Sequence, residues 1–241
     1  MSEVTIVPVE RLELAFAPRP WPFAQEHRAE IDAHFAALKR ANPALWNGRM
    51  LMLYRHAIAG TVFRGAYLET DYASFLAWRH WDPPDSDVKN CFAMGALRGS
   101  DGAFVLGVMG AHTANAGGIY FPAGVPDLDD IDGERVDLAR NIMREVAEET
   151  GLAGEDFEAE PGWTTVLAGP RIAQIKMLHA RATAGELSER IRAHLARERE
   201  PELADVRIVR ASADFDPMMP AFVTTFLTHL WSREQHRRVQ R

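Results

Sequence analysis

One cysteine in 241 residues, Cys91, leaves no internal disulfide to form. A lone thiol fits a reducing compartment and is read first as a small buried hydrophobe. Long apolar runs are missing too. No window approaches 18 uninterrupted apolar residues, and Met1 to Pro8 has neither a basic n-region nor an apolar core. A membrane span and a secretory signal are therefore not expected, and the chain reads as cytoplasmic. Positive charge is in deficit: 27 Lys and Arg stand against 34 Asp and Glu, a net charge of −7. That opposes general nucleic-acid binding, which needs a basic surface. It leaves room for a small anionic ligand, because a metal can supply local positive charge. No internal repeat is evident. What remains is an ordinary globular composition, long enough for one large domain or a medium domain with an extension.

The first 85 residues give a weak pattern. Val4 to Leu14 alternates as one or two strands interrupted by Pro8. Ala17 to Phe23 is a proline-rich connector, and Gln25 to Ala41 an amphipathic helix stopped by Asn42-Pro43. Met50 to Ala57 and Thr61 to Glu69 read as strands, and Asp71 to His80 as a short helix. Trp81 to Asp85 is the best boundary. It divides an N-terminal α/β extension (1–85), packed on or part of the main domain, from a second part (86–241).

In that second part Cys91 to Leu97 and Ala103 to Met109 flank Gly99-Ser100-Asp101-Gly102, a hairpin signal. Ile119 to Phe121, the turn Pro122-Ala123-Gly124 and an acidic loop, Asp127 to Glu134, come next. Asp137 is placed to cap a helix from Leu138 to Thr150. Strands are expected at Thr164 to Leu167, Arg171 to Ala180 and Val206 to Ser212. Helices are expected at Glu186 to Glu200 and Met218 to Trp231, and a frayed tail from Arg233. This order predicts an α/β (α+β) fold, a mixed sheet sandwiched between helices.

The most informative stretch is Arg144-Glu145-Val146-Ala147-Glu148-Glu149-Thr150-Gly151-Leu152. At about 100° per residue, Glu145, Glu148 and Glu149 fall in one helical sector. Like charges at i,i+4 repel, so such a cluster calls for a reason. Three hard oxygen ligands on one face suit Mg²⁺ or Mn²⁺. Gly151 can end the helix in the left-handed conformation.

These nine residues resemble the core of the Nudix box, G-x5-E-x7-R-E-U-x-E-E-x-G-U, where U is apolar. Every fixed or apolar-class position from Arg144 onward is filled, with Val146 and Leu152 at the two U positions. The upstream half departs: positions 130 and 136 hold Asp130 and Val136 instead of Gly and Glu. Phe121-Pro122-Ala123-Gly124 looks like the family's turn, at the cost of six extra residues before Arg144. Glu134 is the nearest glutamate to replace the missing one, with Asp129, Asp130 and Asp132 as alternatives.

The resemblance implies a Nudix-like α/β/α sandwich and a metal-dependent hydrolase. Its substrate would be a nucleoside diphosphate linked to another moiety. Glu148, Glu149 and the Gly124 carbonyl would be metal ligands. Glu145 would be a further ligand or the base that orients water. Arg144 would point away from the metal and hold the loop or a glutamate in place. The coenzyme A and NADH branch signatures of the family are missing, which leaves nucleotide sugars or ADP-ribose-like compounds by default. A non-catalytic Nudix-fold binding or regulatory protein is one alternative. An isoprenoid diphosphate isomerase is another, and would need Cys91. Oligomeric state is not readable; the extension is open to completing the substrate pocket or swapping across a homodimer.

Elsewhere the ordinary readings lead. The acidic loop is expected to be a solvated turn, and His112 and His179 partly exposed structural histidines. Asn115 to Gly118 reads as a flexible loop, and Trp163 as a core or rim residue. Alternation sends Arg171 and Lys176 to opposite faces of a strand, so at most one faces a substrate.

Overall fold

A computed structural model describes residues 4–82 and 87–239, with side chains as far as residue 237. Pro83, Pro84 and Asp85 of the expected boundary lie outside the described residues.

The strands and helices follow the expected order with added short pieces. The first part holds β1 (Val4–Val9), β2 (Arg11–Phe16), α1 (Pro22–Glu26), α2 (Arg28–Ala41), β3 (Arg49–Ala59), β4 (Val62–Asp71) and α3 (Tyr72–His80). The second opens with β5 (Asn90–Arg98), β6 (Phe104–Met109) and four two-residue strands. These are β7 (Ile119–Tyr120), β8 (Ala123–Gly124), β9 (Ile131–Asp132) and β10 (Arg135–Val136). It continues with α4 (Leu138–Thr150), β11 (Phe157–Ala159), β12 (Trp163–Ala168), β13 (Arg171–Ala180), α5 (Ala184–Leu195), β14 (Leu203–Val209) and α6 (Ala221–Val239).

Two mixed sheets result. The larger runs β1-β12-β13-β5-β6-β14, with β11 on β13, β7 on β6 and β8 on β5. Its β13–β5 pair is parallel and its other pairs antiparallel. The smaller runs β3-β4-β2-β10-β9, with β2–β4 parallel. The extension is thus woven into both sheets: β1 pairs with β12, while β2 carries β10 from the second part. Pro8 is tolerated because β1 is an edge strand, where a missing N–H breaks no inner ladder.

Alternation on β13 separates two cores. Ile172, Leu178 and Ala180 pack with α4, α5 and the inner face of the small sheet. Ala173, Ile175 and Met177 pack under α6, against Phe222, Val223, Phe226 and Leu227. Helices α4 and α5 therefore cover one face of the large sheet and α6 the other, the layered order expected from the sequence. Helices α1 to α3 pack on the outer face of the small sheet around Trp21, Ile31 and Trp78.

Several boundaries differ from expectation: β14 runs Leu203–Val209, three residues earlier than expected, and α6 starts at Ala221 rather than Met218. The first helix is split at His27, which caps both α1 and α2. Helix α5 starts on the Thr183–Glu186 capping box and stops at Leu195, five residues earlier than expected. The tail is helical to Val239, held by a two-pronged ion pair from Arg98 to Glu234 at 2.5 and 3.0 Å.

Candidate active site

Helix α4 is fixed at both ends. Asp137 Oδ1 accepts from the N–H groups of Ala139 and Arg140, each at 3.0 Å. Gly151 closes it in the left-handed region with φ 68°. Ile142 and Val146 are fully buried on the large sheet. That approach needs Gly95, since a Cβ there would meet Val146 Cγ2 at 2.8 Å and Leu178 Cδ1 at 2.9 Å.

The apolar face rolls the glutamate face against the sheet edge. Glu149 is 6% exposed. One of its oxygens takes the Ala123 N–H; Oε2 is buried with no hydrogen-bond partner. Burial, then the Glu145 and Glu202 carboxylates, push its pKa well above the ordinary value. Glu145 is also largely buried, and burial raises its carboxyl to about 7. Arg144 opposes that rise, while Glu148, Glu202 and Asp130 add to it. Glu148 is the exposed member, with 59% of its side chain open. Gly124 lies directly over Glu145: a Cβ there would meet Glu145 Cγ at 2.3 Å and Asn141 Oδ1 at 2.7 Å. The absent side chain at Gly124 is what lets β8 approach α4 this closely.

Arg144 grips rather than binds outward. Its Nη1 reaches Glu145 Oε1 at 3.1 Å and Glu148 Oε2 at 3.3 Å, and its Nη2 reaches Asp130 Oδ2 at 3.3 Å. Burial works against its charge, yet Glu145, Asp130, Glu148 and Asp127 together hold its pKa above the usual value.

The acid that meets Arg144 is Asp130, not Glu134, whose side chain is exposed. Asp130 is 1% exposed and also accepts from Asn141 Nδ2 at 2.8 Å. The loop is therefore not wholly a solvated turn: Asp129, Asp132 and Glu134 are, while Asp130 is drawn under the helix.

Three further glutamates were missed. Glu145, Glu148 and Glu149 share a cavity of about 180 Å³ with Glu198, Glu200 and Glu202, from the segment after α5. Glu198 and Glu200 had been assigned to the helix, which ends at Leu195, and Glu202 lay just beyond the expected end. Asn141 was missed as well; it lies one turn before Glu145, and its Oδ1 is buried without a partner.

The remaining candidates scatter. His179 pairs with Glu160 at 3.0 Å, and His112 is exposed. Lys176 donates to the Gly162 carbonyl at 2.9 Å and sits 4.8 Å from the Trp163 ring centroid, which uses both residues structurally. Asn115 links Arg79, at 3.2 Å, to the Tyr120 hydroxyl, at 3.2 Å. Cys91 is fully buried beside Tyr67 and Gln174, with burial pushing its thiol to about 12. It is inert as a proton donor to substrate, which removes the residue an isomerase would need.

Excess acceptors without donors are the mark of a cation site. Among the described residues no three His, Cys, Asp or Glu side chains converge into a ready cage. Mg²⁺ does not require one, since it keeps waters and takes one or two carboxylates plus phosphate oxygens. The orphaned Glu149 and Asn141 oxygens, the all-oxygen donor set and the mutual repulsion of Glu145 and Glu149 fit a hard divalent ion.

No protein-family model matches the sequence, and no curated protein matches it. Among solved structures, the chain is similar to a MutT protein from Methanosarcina mazei Go1: TM-score 0.42, 17% identity, covering 61% of this chain and 95% of that one. It is also similar to RenU, a Nudix hydrolase from M. smegmatis: TM-score 0.37, 14% identity, covering 59% and 84%. A third is a Bacillus subtilis pyrophosphohydrolase, BsRppH: TM-score 0.28, 16% identity, covering 56% and 68%. Likenesses this distant do not bear on the chemistry, which rests on the residues described above.

Proposed function

We propose that this chain is a Nudix-type, metal-dependent pyrophosphohydrolase that cleaves the diphosphate of a nucleoside diphosphate linked to another moiety. The observation that carries the reading is Glu149: a carboxylate buried on α4, with an orphaned oxygen, beside Glu145 and Glu202. A protein does not retain such a group for stability, because an uncompensated buried charge costs several kcal/mol. Glu148, Glu149 and the Gly124 carbonyl would hold Mg²⁺ or Mn²⁺, with Glu145 facing them. When bound, the ion supplies the positive charge that offsets the diphosphate and acidifies water.

The chain's own residues do the rest. Glu145, with a carboxyl near neutrality, is poised to take a proton from the attacking water at its carboxylate oxygen. Arg144 keeps that carboxylate and Glu148 in register by tying both to the Asp130 loop. Gly124 leaves the space in which the Glu145 carboxyl sits. Water attacks phosphorus in line with the departing phosphate, so positioning and charge carry the catalysis. The substrate class proposed is a nucleotide sugar or an ADP-ribose-like compound.

The test is a panel of nucleoside diphosphate derivatives with Mg²⁺ or Mn²⁺, reading phosphate released after phosphatase coupling. Turnover above a Glu149→Gln control on at least one member is expected. Equal rates for both proteins on every member would sink the reading.

A further inference from the structure

The glutamate face is one wall of the site. The N-terminal extension carries a half-buried arginine, Arg79, whose hydrogen bond reaches the loop anchored on Glu202. Arg79 lies in the last turn of α3, over the Phe75 ring at 5.4 Å from its centroid. One of its nitrogens donates to Asn115 Oδ1 at 3.2 Å. Among the described residues no carboxylate lies within ion-pair distance of it. A half-buried guanidinium without a carboxylate is as unbalanced as the buried glutamates, with the opposite sign.

Its surroundings point toward the same cavity. Asn115 also donates to the Tyr120 hydroxyl at 3.2 Å. The loop that carries Asn115 starts at Gly110, whose N–H donates to the carbonyl of Glu202, a residue lining the glutamate cavity, at 2.7 Å; the charges of Glu149, Glu202 and Arg79 all act on Tyr120. Burial pushes its phenol to about 12, which keeps its O–H available as a donor at any working pH. The loop carrying Asn115 is pinned by the extension a second time, through Asn42 Nδ2 to the His112 carbonyl at 2.8 Å. Arg171, the first residue of β13, is exposed, makes no ion pair among the described residues and repels Arg79 electrostatically. Two unpaired cations and a neutral phenol are a donor set for an anion with several oxygens.

We propose that Arg79 and Arg171, with the Tyr120 hydroxyl, form a phosphate-binding subsite beside the α4 glutamates. The N-terminal extension thereby supplies a substrate-positioning residue of the site. This rests on the reading above for its role in turnover, but not for its chemistry. A diphosphate would place one phosphate toward the glutamate face and the other on the arginines. Lys at position 79 would keep the charge and lose the planar fork, so only part of the binding would survive.

The test uses inorganic pyrophosphate as the probe, titrated calorimetrically into the full chain with and without Mg²⁺. Arg79→Gln is expected to weaken pyrophosphate binding at least about tenfold, with Arg79→Lys recovering part of the loss. Arg171→Gln, at an exposed position, is expected to weaken it about three- to tenfold without affecting folding. Wild-type affinity in a folded Arg79→Gln protein overturns the subsite. If that variant does not fold, unchanged affinity in Arg171→Gln overturns it. Failure of the wild-type chain to bind pyrophosphate with or without Mg²⁺ overturns it as well. The two readings separate cleanly. Turnover on the panel with an unchanged KM in Arg79→Gln removes the subsite and leaves the hydrolase. Arg79-dependent pyrophosphate binding without turnover on any panel member removes the hydrolase and leaves the subsite.

Discussion

Helices α4 and α6 lie on opposite faces of one sheet and are built on opposite terms. Helix α6 buries Phe222, Val223, Phe226 and Leu227 against Phe92, Phe104 and Phe121, and at the edge of that core its Glu234 is paired with Arg98. Phe222 and Phe226 meet Phe92 and Phe121 edge-on, the second pair at 6.0 Å, an arrangement ring quadrupoles favour, while Trp231 stacks on Phe215. Helix α4 buries Ile142 and Val146 equally deeply, but the same rotation forces Glu149 and most of Glu145 out of water. One helix is wholly committed to stability. The other spends part of its packing energy on holding carboxylates where they would not otherwise ionise, which is the pattern of a working site.

The sharpest way to break this comparison is to remove the α4 charge. Glu149→Gln is expected to lower turnover by about a thousandfold or more while leaving thermal stability at pH 8 unchanged or higher. A fall in melting temperature would mean that the carboxylate is structural. The matching change on the other face is Phe226→Ala. It should cost about 3–5 kcal/mol in denaturant unfolding, with kcat near wild type where the chain remains folded. Lost activity without lost stability there would show that α6 is part of the site.

Acidity tests the same contrast without mutation. The Glu145 carboxyl sits at about 7 in the folded chain against an ordinary 4.5. Below about 4.5 it is protonated in both states and costs nothing. Between about 4.5 and 7 the unfolded chain releases its proton while the folded chain keeps it, so stability falls as pH rises. Above that window the deficit levels off, at about 3 kcal/mol as an upper bound for this group. Glu149 shifts in the same direction and adds the same sign. Metal-free protein should therefore melt lower at pH 8 than at pH 5, and Mg²⁺ should raise the melting temperature at pH 8 only. A flat profile in scanning calorimetry would refute the strained carboxylates. Next in size is Gly124→Ala. Its methyl would displace the flexible Glu145 side chain rather than backbone. About 10- to 100-fold in kcat is expected, with little change in stability.

How much of this was legible depended on range. Helical periodicity alone placed Glu145, Glu148 and Glu149 on one face, because i,i+3 and i,i+4 spacings are local geometry. The caps at Asp137 and Gly151 were legible for the same reason. Periodicity did not reveal that Glu148 stays exposed while Glu149 is buried. That difference is set by the sheet edge at Ala123 and Gly124, which is remote in sequence. Asp130 was read as one acid among several in a loop. Only the folded path of that loop brings it under Asn141 and Arg144. Glu198 and Glu200 were hidden by a helix expected to run five residues too far, and Glu202, just beyond it, had no local signal. Arg79 had no local signal: an arginine at the end of a short helix is ordinary, and its lack of a carboxylate is a tertiary fact.

The smallest expected effect decides what holds α4 in place. Asp137→Ala removes two capping bonds of 3.0 Å and should cost about 1 kcal/mol. Yet the helix is also held by Ile142 and Val146 against the sheet and by the Arg144–Asp130 pair. Those contacts lie past the first turn, at and just before the glutamates, so a frayed first turn should leave Glu145 and Glu149 where they are. The expected kcat is within about twofold of wild type, against a measurable drop in unfolding free energy. A tenfold loss of kcat would reverse the argument. It would place the register of the glutamate face under the control of the helix start and the acidic loop, and not of the apolar packing that α4 shares with α6.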